Sequence, residues 1–225
     1  VKYFCPFHDK WYQYHKRDNF NSNRFIYGNI GNIRVDPEGS TIISTWNTVP
    51  VPPPPEIKSA AVTSKNCALL ILDMETTICK SPRCTSTIPN IKSLLDKARE
   101  IGMLVIYSII PSGNPSDIEK QLAPLPNELI VESGVDKFYN TNLNSVLREK
   151  GIKTVIITGY AANGVVLHTS ISAAIRGYKV IVPVDCMSAD IPYAEQYSAW
   201  HLAYSPGARN RIALSQTNLI RFLKL

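Results

Sequence analysis

Asp73 is the residue best placed to do chemistry. It closes CALLILD (residues 67–73), an apolar run that reads as a strand buried on both faces. Burying a carboxylate costs several kcal/mol unless it is paired, so an acid there points to a general base or to a group that orients one. The bland alternative is a carboxylate capping a neighbouring helix or turn. A second place stands out at residues 153–176, where an apolar β-branched run breaks at Gly159 and resumes as a small-residue helix ended by Gly177. A strand turning sharply into a helix offers unpaired N–H groups and a partial positive charge. Yet residues 159–165 include no Cys, Ser, Thr, Lys or acid. The expected contribution of Asn163, Gly164 and Val165 is therefore their backbone N–H groups, as an oxyanion-type donor set beside Asp73.

Other reactive side chains fit less well. Of the five cysteines, Cys79 and Cys84 are close enough to pair in an oxidising compartment, but an odd count in a long chain favours free, partly buried thiols. Cys186 and Cys79 fall near the edge that carries Asp73, though neither sits at a helix N-terminus that would lower its pKa. His168 and His201 are scattered and read as surface or core residues.

The elements that must position these residues alternate. Strands are expected at 67–73, 103–109, 129–131, 155–158, 179–184 and 212–214, and helices at 88–101, 116–122, 141–150, 164–176, 193–203 and 218–223. This order predicts a parallel sheet with helices on both faces and right-handed crossovers. Asp73, Ser108, Gly159 and Asp185 then meet at the carboxyl edge of the strands. Within residues 1–65, those up to about 55 differ from the rest: they are rich in aromatics, Asn and Gly, carry β-like pieces at 24–27 and 41–46, and end in VPVPPPP (49–55), an extended surface segment. Residues 1–65 read as an N-terminal arm, leaving 66–225 as the α/β domain.

Composition narrows the classes further. At 44% hydrophobic and 19% charged residues the chain is an ordinary globular one, with no run long enough to span a membrane. The net charge of +6 is dispersed, which disfavours nucleic acid as a partner. The compartment expected is the cytoplasm, with secretion left open by a chain that starts at Val1.

Three pieces taken in order, LLILDM (69–74), DKFYNTNLNSVLREKGIKTVIITGYA (136–161) and RGYKVIVPVDCMS (176–188), resemble the isochorismatase-like cysteine hydrolases. That superfamily includes nicotinamidase and N-carbamoylsarcosine amidohydrolase. The resemblance covers residues 66–225 and implies a three-layer α-β-α fold with a six-stranded, mostly parallel sheet, in oligomers that bind a small-molecule substrate. It also implies an Asp, Lys and Cys triad in which a thiolate attacks an amide or similar carbon. Carried over by residue, Asp73 matches the acid, the lysine position falls on Glu132, and the cysteine position falls on Val165. Lys137 is the nearest replacement for the lysine, the alternatives being a solvent-facing side chain or one that holds Asp136. The Asp and two histidines of the nicotinamidase branch are missing from residues 107–117, so neither metal nor cofactor is expected. Two functions follow: hydrolysis of a small amide, ester or vinyl ether without the usual cysteine, or an inactive relative that binds a small molecule or assembles.

Overall fold

The computed structural model describes residues 2–5, 10–13 and 39–224. The chain divides into two compact units at Pro52 and Pro53. In the first, β1 (Lys2–Cys5) and β2 (Lys10–Gln13) pair antiparallel. The strand expected at 24–27 lies outside the described residues. The one expected at 41–46 is instead a run of turns leading into a 3-10 turn at Trp46–Thr48. Ser44 Oγ donates to the Thr41 carbonyl and accepts from its N–H, both at 2.8 Å, so a hydroxyl takes the backbone groups a sheet ladder would have used.

The second unit begins with β3 (Ala60–Thr63), so this piece of the expected 1–65 arm belongs to the α/β unit. Next comes β4 (Cys67–Leu72), with every residue buried, as the apolar run required. After α1 (Pro82–Thr85), helix α2 (Ile88–Glu100) buries Ile88, Ile91, Leu94, Leu95 and Ala98, a helical-period stripe opened by Pro89. Then follow β5 (Leu104–Ile109), β6 (Leu129–Glu132), α3 (Leu143–Glu149), β7 (Thr154–Tyr160), α4 (Leu167–Ile175), β8 (Lys179–Pro183), the two-residue β9 (Met187–Ser188), α5 (Pro192–Tyr204), β10 (Ile212–Ser215) and β11 (Ile220–Leu223). The helix expected at 116–122 is two separate 3-10 turns, Pro115–Asp117 and Lys120–Leu122. The helix expected at 218–223 is a 3-10 turn followed by β11, which pairs in parallel with β3. Six residues of which four are apolar do not distinguish helix from strand, and here pairing with β3 decided it.

The main sheet runs β10-β8-β7-β4-β5-β6, all six strands parallel, with β9 adding a short pairing to β7. Alternate residues feed opposite faces. Leu70, Leu72, Val155 and Ile157 pack with residues of α3, α4 and α5, while Leu69, Ile71 and Ile156 pack with α2. The result is the expected three-layer α-β-α architecture.

Chain order along the sheet reverses between β4 and β7, and a crevice opens at the carboxyl ends of strands on either side of such a reversal. Leu72 pairs with Gly159 there, so the residue after β4 and the turn after β7 meet at one point. Gly159 is required: its φ is +132°, and a Cβ would stand 2.0 Å from the Leu72 carbonyl oxygen. Gly159→Ala is expected to lose about 3 kcal/mol or more in urea unfolding, since the atoms it would meet are all Leu72 backbone. A loss below about 1 kcal/mol would contradict that packing.

Candidate active site

Asp73 leaves β4 with a left-handed φ of 51°, a conformation an aspartate tolerates better than most residues. Its N–H donates to the Ser108 carbonyl at 3.1 Å, and Ser108 Oγ donates to Asp73 Oδ1 at 2.6 Å. Ser108 sits on β5, so the neighbouring strand end fixes both the backbone and the side chain of the acid.

Lys137 completes the arrangement. Its side chain is fully buried, and Nζ lies 2.8 Å from Asp73 Oδ1. The ammonium also donates to the carbonyls of Ser133 (2.6 Å) and Ile109 (3.1 Å). Its backbone is tied down as well: the N–H donates to Thr169 Oγ1 of α4, and the carbonyl accepts from Thr141 Oγ1. Lys137 therefore neither faces solvent nor holds Asp136, whose carboxylate takes the Phe138 N–H and the Ser172 hydroxyl instead. Burial raises the pKa of the Asp73 carboxyl from its ordinary value, and Lys137 and Ser108 partly oppose the rise. Both of those partners use Oδ1, and among the described residues no hydrogen bond reaches Oδ2.

Asp73 opens onto a cleft of about 450 Å³, within the range of small-molecule sites. Asp73 lines it together with Ile78, Ile110, Pro111, Val135 and Val165. Tyr160, Ala161 and Gly164 form the side contributed by the turn after β7, where the Tyr160–Ala161 peptide bond is cis.

The structure separates the other residues singled out by sequence. Val165 is at the cleft and nearly buried, and Gly164 is beside it. The Gly164 N–H, however, already donates to the Ala161 carbonyl at 3.0 Å, so the expected oxyanion donor set loses that member. Asn163 lies elsewhere, in a separate hollow of about 420 Å³ shared with His168 and His201. Glu132 is exposed and accepts the Ser112 N–H at 2.9 Å; it does not line the cleft, and Lys137 takes the place beside the acid that was assigned to position 132.

Among the described residues that line the cleft, none is a cysteine. Cys79 and Cys84 are not free but form a disulfide with Cα atoms 5.4 Å apart, which ties the loop after Asp73 to α1. The Cys79 N–H bonds to the Glu75 carbonyl and Ser81 caps α1, and the two turns bring the pair together. Cys67 and Cys186 are free and fully buried. Burial pushes the Cys67 thiol up to about 12 and the Cys186 thiol well above its usual range, so neither is a thiolate near neutral pH. Among the described residues no group of three or more His, Cys, Asp or Glu could hold a metal ion.

Sequence reasoning missed Glu75. Two residues beyond Asp73, it is fully buried, and its carboxylate accepts the Ile110 N–H, fixing one wall of the cleft. Burial, with a smaller push from Asp73, raises its pKa from 4.5 to about 7. A carboxyl with a raised folded-state pKa binds its proton more tightly in the fold than in the unfolded chain. Its contribution to stability therefore falls as the pH rises from 4.5 to about 7 and is flat beyond. Glu75→Gln keeps an acceptor for Ile110 and removes the ionisation. Urea unfolding is expected to show Glu75→Gln gaining on the wild type between pH 5 and pH 8; a constant difference contradicts a titrating Glu75.

Comparison with known proteins agrees with this fold. A family model described as the isochorismatase domain matches residues 67–210. The secreted isochorismatase effector of Verticillium dahliae is 29% identical over 152 residues, spanning 60% of this chain and 80% of that protein. An N-carbamoylsarcosine amidase from an Arthrobacter species is 27% identical over 149 residues, 54% of this chain and 56% of that one. Among solved structures, the N-carbamoylsarcosine amidase of Thermoplasma acidophilum superposes with a TM-score of 0.59 at 22% identity, covering 68% of this chain and 97% of the other. The nicotinamidase of Staphylococcus aureus gives a TM-score of 0.61 at 23% identity, covering 68% and 99%. With the model spanning more than half of its residues, this chain belongs to the isochorismatase family.

Proposed function

We propose that the protein is a hydrolase that works without a covalent intermediate, with Asp73 as general acid on a small enol (vinyl) ether. The observation that carries this reading is the state of Asp73: buried, held through Oδ1 by Ser108 and Lys137, with Oδ2 left for a ligand. Amide or ester cleavage in the manner of a cysteine hydrolase needs a nucleophile, and Val165 stands where the resemblance calls for one. Enol ether hydrolysis needs only a proton and water. Asp73 gives its proton to the terminal alkene carbon, whose π electrons form the new C–H bond and leave an oxocarbenium ion. The carboxylate now on Asp73 stabilises that cation. Water adds through oxygen to the cationic carbon and returns a proton to Asp73. The hemiacetal then collapses to an alcohol and a carbonyl compound. Lys137 holds the acid in place and favours the carboxylate that each cycle forms.

The test uses phenyl vinyl ether, which hydrolyses to phenol and acetaldehyde. Phenol release above a heat-denatured control is expected. If a panel of neutral and carboxylated enol ethers, amides and esters shows none, the second reading takes over: a relative without catalysis whose cleft only binds. We also propose an oxidising compartment, such as the secretory route, over the cytoplasm. The Cys79–Cys84 bond supports it, as does the secreted relative. Among the described residues no helix is long and apolar enough to cross a membrane.

A further inference from the structure

The charge complement of the Asp73 cleft limits what it can hold. Among the described residues that line it, none is a lysine, arginine or histidine. Among the described residues the cation paired with Asp73 is Lys137, but an ammonium has three N–H groups. Its Nζ already meets three oxygens, on Ile109, Ser133 and Asp73, with no exposed side-chain surface. That ammonium has no N–H left to receive an anionic group from a ligand.

The other polar groups are similarly engaged. The Ser133 hydroxyl is placed to donate to the carbonyls of Asp136 and Tyr139, each at 3.1 Å. The Tyr160 hydroxyl donates to Asp190. What faces a ligand is Asp73 Oδ2, backbone, and an apolar wall that includes Ile78, Ile110, Pro111, Val135 and Val165. A carboxylate or phosphate entering there would lose its hydration without gaining a counterion from those groups.

We infer that this cleft takes uncharged, largely apolar small molecules and excludes carboxylated or phosphorylated analogues of the same shape. The inference rests on the Asp73 cleft being the ligand site of the proposed function, but it does not require turnover. A matched pair tests it: 2-phenoxyacrylamide and 2-phenoxyacrylate, which share the enol ether and differ mainly in charge. Affinities are measured by titration calorimetry on the wild-type protein and on Val135→Arg, which adds a cation at a half-exposed position of the cleft wall. The amide is expected to bind the wild type at least about tenfold more tightly than the acrylate, the scale of one unpaired charge at a partly open site. Val135→Arg is expected to improve acrylate binding about tenfold without improving the amide. Equal or tighter binding of the acrylate to the wild type overturns the inference, as does binding of neither probe or an arginine with no effect. Phenol release is followed in the same samples. Preferred binding of the amide without phenol release upholds the inference while removing the hydrolase reading. Faster release from the acrylate does the reverse.

Discussion

Asp73→Asn is expected to lower phenol release from phenyl vinyl ether by about a hundredfold to ten-thousandfold, the usual contribution of a positioned proton donor. The loss should fall on kcat rather than KM. Asparagine has nearly the same shape, tolerates the left-handed backbone at this position, and keeps an oxygen for Ser108 and Lys137. What it lacks is a proton to give to carbon. Circular dichroism and a urea transition accompany the assay, because the substitution also changes the group held against a buried ammonium. A folded Asp73→Asn protein within threefold of wild-type activity would contradict the proton-donor role.

Lys137→Met is expected to have the largest effect on stability, about 3–5 kcal/mol in urea unfolding. The methionine fills most of the volume of the lysine stem. The carbonyls of Ile109 and Ser133 lose their donor, and Asp73 loses its buried cation. Lys137 is one of the influences that hold the Asp73 pKa down, so its removal pushes that carboxyl still higher. Any remaining activity should therefore persist to higher pH than in the wild type, because the acid form survives further. A loss below about 1 kcal/mol, or a pH profile moved downward, would show that the ammonium does not support the acid as the geometry describes.

How far the sequence revealed this site depends on what each residue's position encodes. Asp73 was legible because an acid ending a fully apolar run needs a reason to be there, and the six parallel strands were legible for the same kind of reason. Lys137 was only half legible. It follows an acid in a loop, which reads as a surface pair. Its burial is decided by the carbonyls of Ile109, at the end of β5, and Ser133, just after β6, which no local pattern shows. Motif register alone put the lysine at Glu132, which instead holds the loop at Ser112. Asn163 was placed on the correct turn, but the helical winding after Gly159 turns it toward the neighbouring hollow. Glu75 had one available signal, a second acid with the side-chain parity of Asp73, and it passed unnoticed beside the stronger one. The Cys79–Cys84 bond depends on two tight turns, and the odd cysteine count argued against it.

The account turns on a proton, rather than a bond to the protein, carrying the reaction. Its most direct test is intact-mass spectrometry of the wild-type protein quenched during steady-state turnover of the preferred substrate. The account predicts continuing product release with the protein at its unmodified mass at every time point. A mass increase matching a substrate fragment, forming and decaying at the rate of turnover, would contradict it.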